Sequence, residues 1–192
     1  MNEPEQKTGR LLAADIQEVL ISTEDIQNKV RQIAAAISRD YLGRNPLLVG
    51  VLKGVLFFMA DLLREISIPT EIDFIAVASY SSESREEGVV RLVKDLEIPI
   101  AGRHVIFVED VIDTGLTLNY ILSNLRARQP ASLEVCVLFN KPDHRIIDLP
   151  LKYRGFDLPD RFVVGYGLDY KEKYRSLPYL GLLRPEIFRG KK

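Results

Sequence analysis

The sequence predicts an α/β fold: a mostly parallel, twisted sheet with helices on both faces. Three observations lead there. Residues 47–52, 105–108 and 133–139 are short, nearly continuous apolar runs, the pattern of strands buried on both faces. Helical periodicity follows the first two runs, as the crossover connections of a parallel sheet require. Each run leads into a polar segment, Lys53-Gly54, Glu109-Asp110 or Asn140-Lys141. An open α/β sheet binds its ligands there, beyond the carboxyl ends of its strands.

Length and composition set the outer limits. At 192 residues the chain suffices for one sizeable domain with a small lobe, and no repeat or linker divides it, so residues 1–192 are read as a single domain. A net charge of −1 gives no electrostatic reason to bind nucleic acid or an anionic membrane. Cys136, without a second cysteine, lies in an apolar strand pattern and reads as a small core residue. No Cys/His spacing suits a metal, and His104 and His144 stand alone and read as incidental. The polar first ten residues lack the apolar core of a signal peptide. The longest apolar runs are broken by Lys53, Asp61 or Glu109, which leaves no membrane span and a cytoplasmic setting as the expectation.

Taken in order, residues 1–10 are irregular and 11–20 suggest a short strand and turn. Ser22 begins a helix as its capping hydroxyl, with Glu24 and Asp25 in the first turn. Ile26, Val30, Ile33 and Ile37 fall on one helical face, and Gly43 and Pro46 close the element. The strand at 47–52 leads into a helix over 55–65. Residues 71–80 alternate with both sets largely apolar, a strand buried on both faces. The polar stretch 79–88 is either a solvated hairpin loop or a lid, and 89–93 return as a strand. Pro99 and Gly102 mark the turn before the 105–108 strand. A helix over 116–128 buries Leu118, Ile121, Leu122 and Leu125, and Pro130 stops it. Residues 162–164 form a short strand; 176–192, with Pro178 and Pro185, finish a sheet edge or an interface.

The chemistry centres on residues 105–118. Adjacent carboxylates at a strand end need a reason, because burying unpaired charge costs several kcal/mol (roughly). Glu109 and Asp110 suit a ribose diol or Mg²⁺. In the turn that follows, Gly115 lets the backbone approach a ligand, Thr114 and Thr117 add hydroxyls, and a helix start lies behind them. That is a phosphate nest, and neither a Walker loop nor a dinucleotide glycine motif is present. Lys53-Gly54 is a solvated turn or an anion site. Lys141 can only donate hydrogen bonds, so it greets a carbonyl and rejects an amino group. Phe162 is a core residue or a platform for a purine.

Residues 108–117, Val-Glu-Asp-Val-Ile-Asp-Thr-Gly-Leu-Thr, resemble the phosphoribosyl pyrophosphate (PRPP) motif of type I phosphoribosyltransferases. The wider match is to the hypoxanthine-guanine branch and covers the chain from the Pro46 strand to Tyr174-Arg175. The resemblance implies the type I phosphoribosyltransferase fold, with a small hood from the two chain ends over the base. The implied reaction is purine salvage: transfer of the 5-phosphoribosyl group from PRPP to hypoxanthine or guanine, giving IMP or GMP and pyrophosphate, with Mg²⁺. Lys53 and Gly54 become the pyrophosphate loop, with a cis peptide before the Lys, and Ser79-Tyr80 the start of the lid. Lys141 meets the 6-oxo group, Phe162 stacks on the purine and the Val163 backbone reads its edge. Asp169 joins Glu109 and Asp110 as a metal-binding residue, and Arg175 clasps pyrophosphate. Glu109 and Asp110 grip the ribose, residues 113–117 hold the 5-phosphate, and Asp113 takes the proton from the purine. A homo-oligomer, dimer or tetramer, is expected. The alternatives are a sister enzyme for xanthine or a pyrimidine, and a non-catalytic PRPP-binding regulator.

Overall fold

Parallel pairing dominates the central sheet. The structure, a computed structural model, describes residues 12–79 and 90–188. Its six-stranded sheet comprises β2 (Leu47–Leu52), β3 (Glu71–Ser79), β4 (Val90–Lys94), β5 (His104–Ile112), β6 (Ser132–Asn140) and β7 (Tyr153–Asp157). They lie in the order β4-β3-β2-β5-β6-β7. Every neighbouring pair is parallel except β3 with β4, which returns antiparallel at one edge.

Alternation along the strands feeds two apolar layers. Leu48, Ile106 and Cys136 point to the face covered by α1 (Thr23–Asp40) and α2 (Leu56–Glu65). Leu47, Val49, Val105, Phe107, Val135 and Val137 point to the opposite face, under α3 (Leu116–Arg126). The expected helices on both faces are therefore present. Helix α1 starts where its cap predicts: the Ser22 hydroxyl accepts from Asp25 N at 3.1 Å. Helix α3 starts behind Gly115, whose φ of +82° is a left-handed conformation that favours glycine.

A second, three-stranded antiparallel sheet combines β1 (Ile16–Ile21) with β8 (Val163–Val164) and β9 (Leu180–Leu183) in the order β1-β9-β8. Val163, Leu180 and Leu182 share one apolar cluster with Ile26, Val30 and Ile33 of α1. The Tyr166 hydroxyl donates to Asp61 of α2 at 2.7 Å, fastening the segment after β8 to the helix below. The chain described ends in a short helix, α4 (Pro185–Phe188). Among the described residues no helix is long and apolar enough to cross a membrane.

Three differences from the sequence reading have physical reasons. Strand β5 continues past its apolar run through Ile112, because Val111 and Ile112 keep pairing with Phe139 and Asn140. Strand β7, Tyr-Arg-Gly-Phe-Asp, carries too little apolar pattern to announce itself; it exists because β6 offers it an edge. Its Gly155 is needed there, since a Cβ would lie 2.2 Å from the Leu138 carbonyl oxygen. In β3 the apolar burial is incomplete, with Ile72 exposed and Asp73 buried instead. Burial alone would raise the Asp73 carboxyl, but N–H donors from Ile98, Phe74 and Glu97 outweigh it and hold it below its usual range.

Two substitutions should separate core from cap. Phe107, fully buried under α3, should cost about 3–5 kcal/mol on truncation to Ala, whereas Ser22→Ala should cost about 1 kcal/mol. Urea unfolding of the two variants checks the ranking.

Candidate functional site

The carboxylates sit inside β5 rather than after it. Pairing with β2 stops at Gly50–Val108, while pairing with β6 runs on to Ile112–Asn140. Glu109 and Asp110 thus project from a strand that is held on one side only. Successive side chains take opposite sides, as in any strand. Glu109 lines the cavity of the 113–118 segment, and Asp110 lies against Gly54. Glu109 as a residue is only partly covered, yet its Oε2 is inaccessible and has no hydrogen-bond partner. Desolvation, with the charge of Asp110 second, drives its carboxyl well above the usual range. Burial pushes Asp110 up to about 6, against the opposing pull of the Val111 N–H and of Arg175.

Around Asp110 a second group of predicted residues assembles from two loops. The Leu52–Lys53 peptide is cis, as the resemblance implied. A Cβ on Gly54 would fall 1.8 Å from Asp110 Oδ2, and a Cβ on Gly167 would fall 2.1 Å from the Gly54 carbonyl oxygen. Two bare backbones therefore let the 52–54 turn sit between Asp110 and the 165–175 segment. In that segment Arg175 donates to Gly167 O at 2.8 Å and pairs with Asp169 at 2.6 Å. Its Nε is buried without a partner. Glu172 reaches Lys53 Nζ at 3.1 Å and Arg175 Nη2 at 3.5 Å, bridging the two cations. Lys53, Gly54, Asp169 and Arg175 are thus brought together, with Glu172 as a member that the sequence reading missed.

On the other side of β5 lies a cavity of about 200 Å³, lined by Glu109, Asp113, Thr114, Gly115 and Thr117 among others. The loop after β6 closes one wall. Ile146 N and Ile147 N both donate to Thr114 O, at 3.0 and 3.3 Å, and Lys141 N donates to Ile112 O at 3.0 Å. Lys141 therefore leaves β6 beside the phosphate-nest residues, as its place one strand over required. The 3₁₀ turn Pro142–His144 follows and brings His144 onto Asp113 at 2.7 Å and onto Asp160 at 2.6 Å. Phe162, 45% exposed, stands edge-on to Tyr170 at 5.7 Å, and Val163 is buried in β8. The bare core reading of Phe162 does not hold. Ser79 ends the described part of β3, and Tyr80 with the proposed lid lies outside the described residues.

A larger cavity of about 450 Å³ on the far side of the 140–154 loop is lined by Asn140, Arg145, Asp148 and Arg154 and by none of the predicted site residues. Among the described residues no three His, Cys, Asp or Glu side chains gather as a preformed metal cluster. His144 and Asp160 escaped the sequence reading because their link to Asp113 spans 31 residues and no local spacing encodes it.

A doubly covered, mostly parallel sheet, with paired acids and a glycine-threonine nest at one strand end, defines a phosphoribosyltransferase. The model of the phosphoribosyl transferase domain matches residues 22–171. The hypoxanthine-guanine phosphoribosyltransferase of Streptococcus agalactiae is 48% identical over 178 residues, which are 93% of this chain and 99% of that one. That of Bacillus subtilis is 44% identical with the same coverage. A crystal structure of a hypoxanthine phosphoribosyltransferase from Staphylococcus aureus superposes with a TM-score of 0.88 at 43% identity, covering 93% of this chain and 97% of that one. The chain belongs to the hypoxanthine-guanine phosphoribosyltransferase family.

The raised carboxyl of Asp110 fixes a sign. The folded state holds this proton more tightly than the unfolded chain, whose value is near 3.8, so stability falls as pH rises from there through about 6. At pH 7 the ionised group should cost up to about 3 kcal/mol. Asp110→Asn removes the titration, so the variant should be more stable than the parent at pH 7.5, and the gap should shrink by pH 4.5. Urea midpoints at the two pH values measure it.

Proposed function

We propose that the chain transfers the 5-phosphoribosyl group from PRPP to hypoxanthine or guanine, releasing pyrophosphate and forming IMP or GMP. The observation that carries this is the convergence at the ends of β2, β5 and β6 of an anion turn, paired carboxylates with a phosphate nest, and a donor-only Lys. The reading takes residues 1–192 as one phosphoribosyltransferase domain whose hood is the β1-β9-β8 sheet; the apolar cluster shared with α1 supports it. It also takes the chain to be a cytoplasmic homo-oligomer, dimer or tetramer, and the apolar Leu116 and Tyr120 exposed on α3 accord with an assembly.

Glu109 and Asp110 hold the ribose hydroxyls, and their charge faces the sugar as it turns cationic. Thr114, Gly115 and Thr117 hold the 5-phosphate on the start of α3. Lys53, Gly54 and Arg175 receive the pyrophosphate; the unpartnered Arg175 Nε shows donor capacity still unused there. Mg²⁺ fits the residues present: Asp110 and Asp169 bring carboxylate oxygens to one side of β5, near enough for the Asp169 charge to act on the Asp110 carboxyl, and this ion is commonly held by one or two carboxylates plus substrate phosphates. Asp110 and Asp169 would hold it from one side of β5, with Glu109 on the other side of the strand, and when bound it supplies positive charge against the departing pyrophosphate. Phe162 stacks on the base, Val163 reads its edge by backbone, and Ser79 with Tyr80 begins a closing lid. The purine nitrogen bonds to C1′ of the ribose as the C1′–oxygen bond to pyrophosphate breaks, and Asp113 accepts the proton lost from the purine imidazole.

Asp113→Asn should lower turnover by about 10²- to 10⁴-fold while PRPP affinity by calorimetry stays nearly intact. Wild-type-like turnover would remove Asp113 from the role of base.

The wild-type enzyme should use hypoxanthine and guanine and discriminate against adenine by roughly 10⁴-fold, since adenine would set an amino group against the Lys141 ammonium. Lys141→Met should lose most 6-oxopurine activity without gaining a comparable adenine activity. Values of kcat/KM for the three bases in both proteins decide this, and adenine used as well as hypoxanthine by the parent would overturn the assignment.

A further inference from the structure

The chain holds two imidazoles, and they are placed very differently. His104 shares a hydrogen bond with Ser132 at 2.8 Å at the start of the β5–β6 ladder, the end of the sheet away from the acids. His144 stands at the site. Its Nδ1 lies 2.7 Å from Asp113 Oδ1 and its Nε2 lies 2.6 Å from Asp160 Oδ1. A neutral imidazole has one donor and one acceptor, and a lone pair aimed at a carboxylate is repelled. Both contacts are attractive only when both ring nitrogens carry protons. The two acids come from different parts of the chain: Asp113 from the turn between β5 and α3, Asp160 from the loop before β8. The ring therefore ties the proposed base to the loop that carries Phe162.

The ring's own support is backbone. His144 N donates to Lys141 O at 3.3 Å, and Ile146 N and Ile147 N donate to Thr114 O. Asp113 is the more exposed of the pair, 51% at its side chain against 34% for His144, and the ring has a second carboxylate contact that Asp113 lacks. The ring engages Oδ1 and not Oδ2. Pairs of a reactive group and an orienting partner recur in acid–base sites because a carboxylate or imidazole free to rotate spends little time aligned with the proton it must take.

We propose that His144 is a positioning residue for the general base: as an imidazolium it holds Oδ1 of Asp113, directs Oδ2 to the purine imidazole, and couples that orientation to the Asp160–Phe162 loop. This rests on the reading of Asp113 as the base. The proton removed from the purine goes to Asp113 Oδ2, and His144 keeps both of its own protons through the step. The charged groups facing the ring are Asp160 and Asp113, with Lys141 acting on Asp160 from the end of β6. Hydrogen bonds from the ring to Asp160 and then to Asp113 raise its proton affinity above that of a free imidazole. The bridge therefore survives to higher pH than a free imidazole would allow, and it is lost as pH rises through the elevated value.

Three variants and one spectrum test this. His144→Gln should lower kcat/KM for hypoxanthine on the order of tenfold, the scale typical when an orienting partner is removed, and leave PRPP affinity unchanged. The alkaline limb of the wild-type kcat/KM profile, set by loss of the imidazolium, should vanish in that variant. His144→Arg should restore most of the activity without the limb, because a guanidinium can donate to both acids at any working pH. Nitrogen-15 spectra of the imidazoles, assigned with a His104→Gln variant, should show His144 doubly protonated at pH 7. Unchanged kcat/KM and an unchanged limb in His144→Gln would overturn the proposal, as would a ring titrating at or below the free value, or equal losses in PRPP affinity and kcat/KM. Asp113→Asn separates the two readings. If it is crippled while His144→Gln is not, this inference alone fails; if Asp113→Asn turns over normally, the base reading fails with it.

Discussion

Carrying two carboxylates on a strand that is still pairing is the constraint from which the rest of the site follows. Strand β5 loses β2 as a partner after Val108 yet keeps β6 to Ile112, so Glu109 and Asp110 are held rigidly at the mouth of the sheet. Their fixed position leaves no room on one side for any residue but glycine at position 54, and Gly54 in turn admits only a glycine at position 167. Those two contacts bring the 165–175 segment, with Asp169 and Arg175, to the same place as the turn bearing Lys53. On the other side the same strand delivers Asp113 and the left-handed Gly115, which starts α3 behind the nest. Desolvated acids destabilise the free fold, and the groups that would relieve them are cations and hydroxyls of the kind the reaction brings.

Much of this was legible in the chain because it is local. Three apolar runs named β2, β5 and β6, the 3.6-residue period named the three long helices, and Ser22 with its acids named the first helical turn. The acid pair and the Gly-Thr turn also lie in one segment, so their chemistry could be read from composition and spacing. What stayed hidden depends on partners distant in sequence. Strand β7 has a weak pattern of its own and is defined by the edge of β6. Strand β3 reads as buried on both faces, but nothing in that pattern says that the 95–98 turn will wrap N–H groups around the Asp73 carboxylate. His144 read as incidental because nothing near it in the chain says that Asp113 and Asp160 will flank it. The resemblance supplied one feature that no spacing could, the cis peptide before Lys53.

The second sheet joins the two ends of the described chain. Strands β1 and β9 pair although they lie near opposite ends of the chain, and β8 joins them from the segment bearing Phe162. The apolar residues of this sheet press on α1, which itself packs on the central strands, so Val163 and its neighbours are positioned through two layers rather than by a tether alone. The Tyr166–Asp61 hydrogen bond adds a directional contact to that packing.

Glu172 has a further consequence. It touches both Lys53 and Arg175, so these cations already have an anionic partner within the protein. Any multiply charged oxyanion that reaches both of them exchanges with a carboxylate instead of filling an unmet need. The strength of that association is a difference between two sets of ionic contacts, smaller than either. For a phosphate that binds at both cations, an internal competitor of this kind would lower its affinity and shorten its residence.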